Sequence, residues 1–342
     1  MSRIWNKDFS RDQLSAYTST METLAGLQPF TYSQGRISGM RGIEGWTSSG
    51  LRFTLWPDRA LDLGPVWFKD KPVSWQHPGL GGPANFEPSG LGWLRTFGGG
   101  LLTSCGLIHI GAPDDYQGQS YGLHGRIAHI PAENLRLWQE WQNDDYILAV
   151  EGEIRQSVLF GENLLLKRRV ESALGSQSIT IKDTVINESS RDTPHSLLYH
   201  CNFGFPAVSP ASHLILDVER VEPRTPVAAV GMAERNHFDE PQPGYEEQVF
   251  FHYPVIDQDG YAQATLFNPE LHFGVQLRWL GEVMPVLTEW KMIGTGEYVC
   301  GLEPATQAMA TWEDWEKQGL PRKLAPGEEI QYELRIKIIE NI

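Results

Sequence analysis

A chain of 342 residues with a formal charge of −15 has room for two average domains or one large β domain. It is too acidic to suit nucleic acid or an anionic membrane surface, because both need a basic face. Three widely spaced cysteines, Cys105, Cys201 and Cys300, imply no disulfide framework and fit a reducing cytoplasm.

The first residues, Met1 to Asp8, lack the apolar stretch of a secretory signal, and no apolar run approaches the length of a membrane span. Ser10 caps a predicted short helix over Arg11 to Tyr17, and Gln13 completes a capping box. Strand patterns follow at Leu135 to Gln142, Tyr146 to Ile154, Leu164 to Ser172 and Ser178 to Asn187. They resume at Ala262 to Phe267, His272 to Leu280 and Glu297 to Leu302. A second short helix is predicted near Trp312 to Lys317. The clearest strand is the last. Ile330, Tyr332, Leu334, Ile336 and Ile338 alternate with polar residues, after a turn at Pro326-Gly327. The 34 glycines and 22 prolines are spread along the chain, as many turns between strands require. There is no fixed-period repeat and no low-complexity linker. The expectation is an all-β fold, a large antiparallel sandwich with a few short helices, forming one domain over residues 1–342.

Three segments put an ionisable residue in an apolar or glycine-rich setting: Gly122-Leu123-His124-Gly125, Tyr199-His200-Cys201-Asn202-Phe203 and Gly301-Leu302-Glu303-Pro304. Glu303 closes a predicted strand between apolar neighbours. It is either a surface turn residue or a partly desolvated carboxylate whose raised pKa suits general-base work. His200 is either a core histidine satisfied by a backbone carbonyl or part of a site. Asn202 shares its strand face, since i and i+2 project together. His124 is either a turn residue or a ligand group that its flanking glycines let a substrate approach. Arg95 is either half of a structural ion pair or a donor to sugar hydroxyls. Phe97-Gly98-Gly99-Gly100-Leu101 lacks the Lys-Ser/Thr ending of a phosphate loop and reads as tight packing beside a pocket. The histidines and cysteines lack the short ligand spacing of a metal motif. None of the 12 tryptophans is assigned to a ligand.

In this order the segments resemble those of aldose 1-epimerases, the galactose mutarotases. The matching residues are Leu123-His124-Gly125, His200 with Asn202, and Leu302-Glu303. That family often carries an Asp that binds sugar hydroxyls between the last two segments. Tyr245-Glu246-Glu247-Gln248 stands there in this chain, so Glu246 or Glu247 takes that place. Tyr199 replaces the usual Asn before the strand histidine, and Arg95 is the positional counterpart of an upstream Asn-Arg stretch. Most of the chain is similar to a divergent epimerase-like branch. The likeness runs through Trp56-Pro57-Asp58-Arg59-Ala60-Leu61-Asp62, through Phe97 to Leu107, and through Leu123 to Arg126.

The resemblance implies a single β-supersandwich and a cytoplasmic isomerase of carbohydrate metabolism. Glu303 would take the proton of the anomeric hydroxyl, and His200, as imidazolium, would protonate the ring oxygen. His124 would polarise that region. Asn202, Arg95 and Glu246 or Glu247 would bind hydroxyls. No metal or organic cofactor is implied. The expected ligand is a small neutral monosaccharide, and the expected assembly a monomer or homodimer. The alternatives are a glycoside hydrolase using Glu303 with Glu246 or Glu247, a carbohydrate-binding or sensing protein without turnover, and a mutarotase of phosphorylated sugars.

Overall fold

The structure is a computed structural model that describes residues 2–81 and 88–341. Its helices are few and short. Arg11–Tyr17 forms with both halves of the Ser10–Gln13 capping box in place. Trp312–Lys317 forms with Thr311 as its cap. Among the described residues no helix is long and apolar enough to cross a membrane.

Three larger antiparallel sheets make up the body among the described residues. The eight-stranded sheet includes Glu133–Gln142, Asp145–Ser157, Asn163–Ala173, Ser178–Asn187, Tyr261–Asn268, Phe273–Leu280 and Glu329–Ile339. Each contains or closely matches a strand predicted from alternation, and Glu329–Ile339 buries every second side chain over most of its length. His272 is excluded from its predicted strand because its backbone turns to a positive φ of 46°. The six-stranded sheet includes Leu102–Leu107, Ser196–Gly204, Gln248–Pro254, Val286–Gly294 and Glu297–Ala305. A five-stranded sheet takes up the N-terminal part, including Arg41–Trp46, Leu51–Trp56 and Asp62–Phe68.

Arg168 joins all three sheets at one buried point. Its guanidinium donates to both oxygens of Asp183 on the neighbouring strand, to Asp62 of the N-terminal sheet, and to the Ala60 carbonyl in the turn just before the Asp62–Phe68 strand. It also donates to Ser104 of the six-stranded sheet. Tyr199 completes the cluster with a 2.8 Å hydrogen bond to Asp183. Every member is fully or nearly fully buried. A buried charge is tolerated only when it is paired and its donors are satisfied, as here. This explains two sequence features. Asp62 and Ser104 belong to the stretches that resemble the epimerase-like branch, and Tyr199 faces this cluster rather than the opposite side of its strand.

Candidate active site

Strand pairing brings the chemistry together. Ser196–Gly204 runs antiparallel to Glu297–Ala305, with Cys201 opposite Leu302 and Asn202 opposite Gly301. One residue further, His200 meets Glu303. The His200 Nε2 lies 3.1 Å from the Glu303 Oε1, with side-chain exposures of 6% and 1%. Glu303 therefore lies inside its strand, not at the strand end anticipated, because pairing continues through Pro304 to Ala305. Gly301 precedes Glu303 by two residues and so shares its face. It has no side chain there, and a Cβ would lie 2.5 Å from the Glu303 Oε1.

His124 enters from a loop. Its φ is +57° and that of Gly125 is +72°, a left-handed pair of turns. A Cβ on Gly122 would strike the Pro88 carbonyl at 2.4 Å. The backbone N–H of Gly111 approaches the His124 Nδ1 at 3.4 Å. That contact favours the tautomer with its proton on Nε2. The His124 and His200 rings meet edge to face with centroids 5.6 Å apart. Trp93, Phe97 and Trp290 enclose His200 at 6.0, 5.3 and 5.5 Å.

All three ionisable residues line one cavity of about 290 Å³, near the lower end of the range for small-molecule sites. Leu91, Leu94, Arg224, Glu247 and Met309 are among the other lining residues. Glu247 is held by a 2.8 Å hydrogen bond from the Trp290 indole.

Burial sets the protonation states. It pushes the Glu303 carboxyl well above the usual carboxylate range, and the charge of Glu247 adds to this while Arg224 opposes it. Burial pushes His200 down to about 4, against a smaller upward pull from Asn202. His124 falls well below the ordinary histidine range, first through burial and then through the neighbouring His200, His109 and Arg224. The imidazolium anticipated at His200 is thus corrected. A nearby carboxylate favours the cation only when it is itself ionised, and here the same burial favours protonated Glu303. Burial thus disfavours the charged form of both partners. The Nδ1 of His200 has no hydrogen-bond partner among the described residues, which leaves capacity for a ligand.

Other anticipated residues sit elsewhere. Arg95 ends the short turn Gly92–Arg95 and is exposed, while Trp93 of the same turn faces the cavity. Tight helical geometry sends residues two apart to different sides. Arg95 is therefore not among the cavity-lining residues. Glu246 is exposed and outside the cavity lining, whereas Glu247 belongs to it. Asn202 is on the expected face, but its short amide turns onto the carbonyls of Gly100 and His200, at 3.1 and 2.9 Å. It braces the strand instead of lining the cavity. Sequence reasoning missed Arg224, Trp93 and Trp290, whereas Phe97 belongs to the stretch read as packing beside a pocket. Trp290 shares a strand face with Thr288, and Thr288 faces Glu303 in register, a pairing that no local pattern in the sequence marks. Arg224 sits between Pro223 and Thr225-Pro226 with no local pattern to mark it.

Large antiparallel sheets enclosing such a cleft define a galactose mutarotase-like sandwich, and solved structures agree. A protein provisionally named an aldose 1-epimerase, from Klebsiella pneumoniae subsp. pneumoniae, superposes with a TM-score of 0.88 at 24% identity, over 94% of this chain and 86% of that one. A galactose mutarotase-like protein from Clostridium acetobutylicum gives 0.66 at 14% identity, over 94% and 100%. The galactose 1-epimerase of Lactobacillus acidophilus gives 0.60 at 10% identity, over 93% and 100%. These likenesses establish the fold. The chain itself belongs to the family described as a domain of unknown function (DUF4432), whose model matches residues 37–338. No curated protein matches it.

Proposed function

We propose that the protein is a mutarotase, interconverting the α and β anomers of a free aldose by acid–base ring opening. The observation that carries this reading is the His200–Glu303 pair, 3.1 Å apart and nearly inaccessible, with His124 lining the same cavity. A cyclic hemiacetal opens when one group removes the O1 proton while another gives a proton to the ring oxygen. The pair needs only one proton between its members.

With Glu303 ionised and His200 charged, ring opening moves the O1 proton to Glu303 and the imidazolium proton to the ring oxygen. The pair becomes neutral. Burial favours that direction, because separated charges cost more in a low-dielectric site. Rotation about C1–C2 and reclosure in reverse give the other anomer. In reclosure the neutral pair works in reverse, Glu303 returning a proton to the carbonyl oxygen while His200 takes that of the ring hydroxyl. Neutral His124, with its proton on Nε2, supplies a hydrogen-bond donor to the sugar. Arg224 and Glu247 offer a donor and an acceptor for hydroxyls, and the Trp93 and Trp290 rings supply apolar walls.

The test is anomer exchange measured by NMR across a panel of free aldoses. Glu303→Gln and His200→Asn should each slow exchange by about 10²–10⁴-fold, the usual worth of a positioned acid or base. Wild-type rates in both folded variants would overturn the assignment. One observation favours a second reading. Glu247 lies close enough for its charge to raise the Glu303 pKa, so the cavity holds two carboxylates, as a glycoside hydrolase needs. Release of the leaving group from aryl glycosides would establish that reading. Saturable sugar binding with neither activity would mark a sensing protein.

A further inference from the structure

The cavity does not end beyond the pair. Ala112, Pro113, Arg224 and Met309 line both it and a second cavity of about 430 Å³. The strand Gln248–Pro254 runs beneath both, with Val249 under the first and Phe251 under the second. Two residues of strand advance about 7 Å along one face, roughly the step from one sugar ring to the next. We infer that the outer cavity is a second sugar subsite, and that the substrate is a reducing disaccharide or longer oligosaccharide. The inference rests on the mutarotase reading for the reaction at the inner site.

The chemistry of the walls selects this class. At the junction stands Arg224, exposed, whose guanidinium has no hydrogen-bond or ion-pair partner among the described residues. It has five N–H donors to offer. Beyond it are the carboxylates of Asp114, Glu222 and Asp314. Each already accepts from a protein donor, the Trp312 backbone N–H, Arg220 and Thr311 respectively. A carboxylate retains acceptor sites beyond one bond, and sugar hydroxyls can fill them. Phe251 presents an apolar surface to the C–H face of a ring.

The charge balance disfavours an anionic substituent. Glu222 is paired with Arg220 and Asp314 with Lys317, which leaves Asp114 and, in the inner cavity, Glu247 facing the single unpaired Arg224. A phosphate or carboxylate on the sugar would still meet a net negative charge. Ring opening also requires a free anomeric hydroxyl at Glu303 and His200. The second unit must therefore be linked through another carbon of the reducing sugar, so the anomeric carbon of that sugar carries no substituent.

The experiment compares binding and exchange in the full chain. Calorimetry measures the Kd of lactose, cellobiose, maltose and xylobiose against glucose, galactose and xylose, with glucuronate and glucose 6-phosphate as anionic probes. NMR measures anomer exchange for the same panel. At least one neutral disaccharide should bind at least fivefold more tightly than its component monosaccharides. Ala310→Trp, which fills the outer cavity, should bring that ratio close to one, and the ratio is internal to each protein, so partial loss of folding does not imitate it. Equal or tighter binding of every monosaccharide, or tightest binding of an anionic probe, would overturn the second subsite. Disaccharide preference without exchange would leave the subsite standing and sink the mutarotase reading. Monosaccharide exchange without the preference would do the reverse. Absence of binding across the panel would overturn both.

Discussion

Gly301→Ala tests the geometry of the site with one methyl group. Gly301 has no positive φ, so its backbone accepts alanine without strain. The new Cβ would lie 2.5 Å from the Glu303 Oε1 and 3.2 Å from the Trp290 Cβ. An ordinary carbon contact needs about 3.5 Å, so the carboxyl must retreat by about 1 Å. Overpacking of this kind costs about 1–3 kcal/mol, and alanine recovers about 0.4–1 kcal/mol through the less flexible unfolded chain. The protein should stay folded, with its Tm lower by a few degrees. A displacement of about 1 Å at a reacting group costs about 10²-fold in rate. NMR anomer exchange should therefore fall about 10²-fold, and the thermal transition should remain cooperative. Exchange within twofold of wild type in Gly301→Ala, with Glu303→Gln inactive, would refute the claim that Glu303 works from this fixed position.

Three further outcomes follow from the electrostatics. Because kcat/KM reports groups of the free enzyme, exchange should lose activity on the acid side near pH 4, where His200 becomes protonated while Glu303 already is. An acid limb near 6.5 would contradict the buried, neutral imidazole. The raised Glu303 pKa also opposes stability. Above about pH 4.3 the unfolded chain releases this proton while the folded chain keeps it, so its contribution falls as pH rises toward the folded pKa. Glu303→Gln should accordingly raise Tm at pH 8 and lose that advantage toward pH 4, and a gap independent of pH would contradict this. Arg168→Ala leaves Asp62 and Asp183 buried without their partner and should cost about 3–5 kcal/mol in urea denaturation, where a loss under 1 kcal/mol would deny the cluster its structural role.

The most local features were the most legible. The Ser10–Gln13 box and the Glu329–Ile339 alternation depend on neighbours in sequence, and both were readable at once. The N-terminal sheet was not read. Gly64 and Pro65 interrupt Asp62–Phe68, and most of that strand is buried on both faces, which erases alternation. At the site, His124, His200 and Glu303 stood out because an ionisable group among apolar residues is unusual. Arg224 and Trp290 reach the cavity only through strand pairings and loop returns over long separations, which no local pattern records. Asn202 shows the limit of the face rule. Periodicity gives the direction of a Cβ, but the reach of the side chain and nearby carbonyls decide where its polar atoms end.

The strand Ser196–Gly204 has a two-sided construction. His200 faces the cavity, and Tyr199 is tied behind it to the Arg168 cluster that spans three sheets. His200 and Glu303 thus sit on a foundation independent of the rim. The rim is made of turns and loops, among them the Gly92–Arg95 turn and the segments around Gly122 to Gly125 and Tyr245 to Glu247. Changes there can alter which ligand enters without moving the buried His200–Glu303 pair. A scaffold divided in this way suits diversification, since the pair can stay fixed while loops alone are rewritten to admit different ligands.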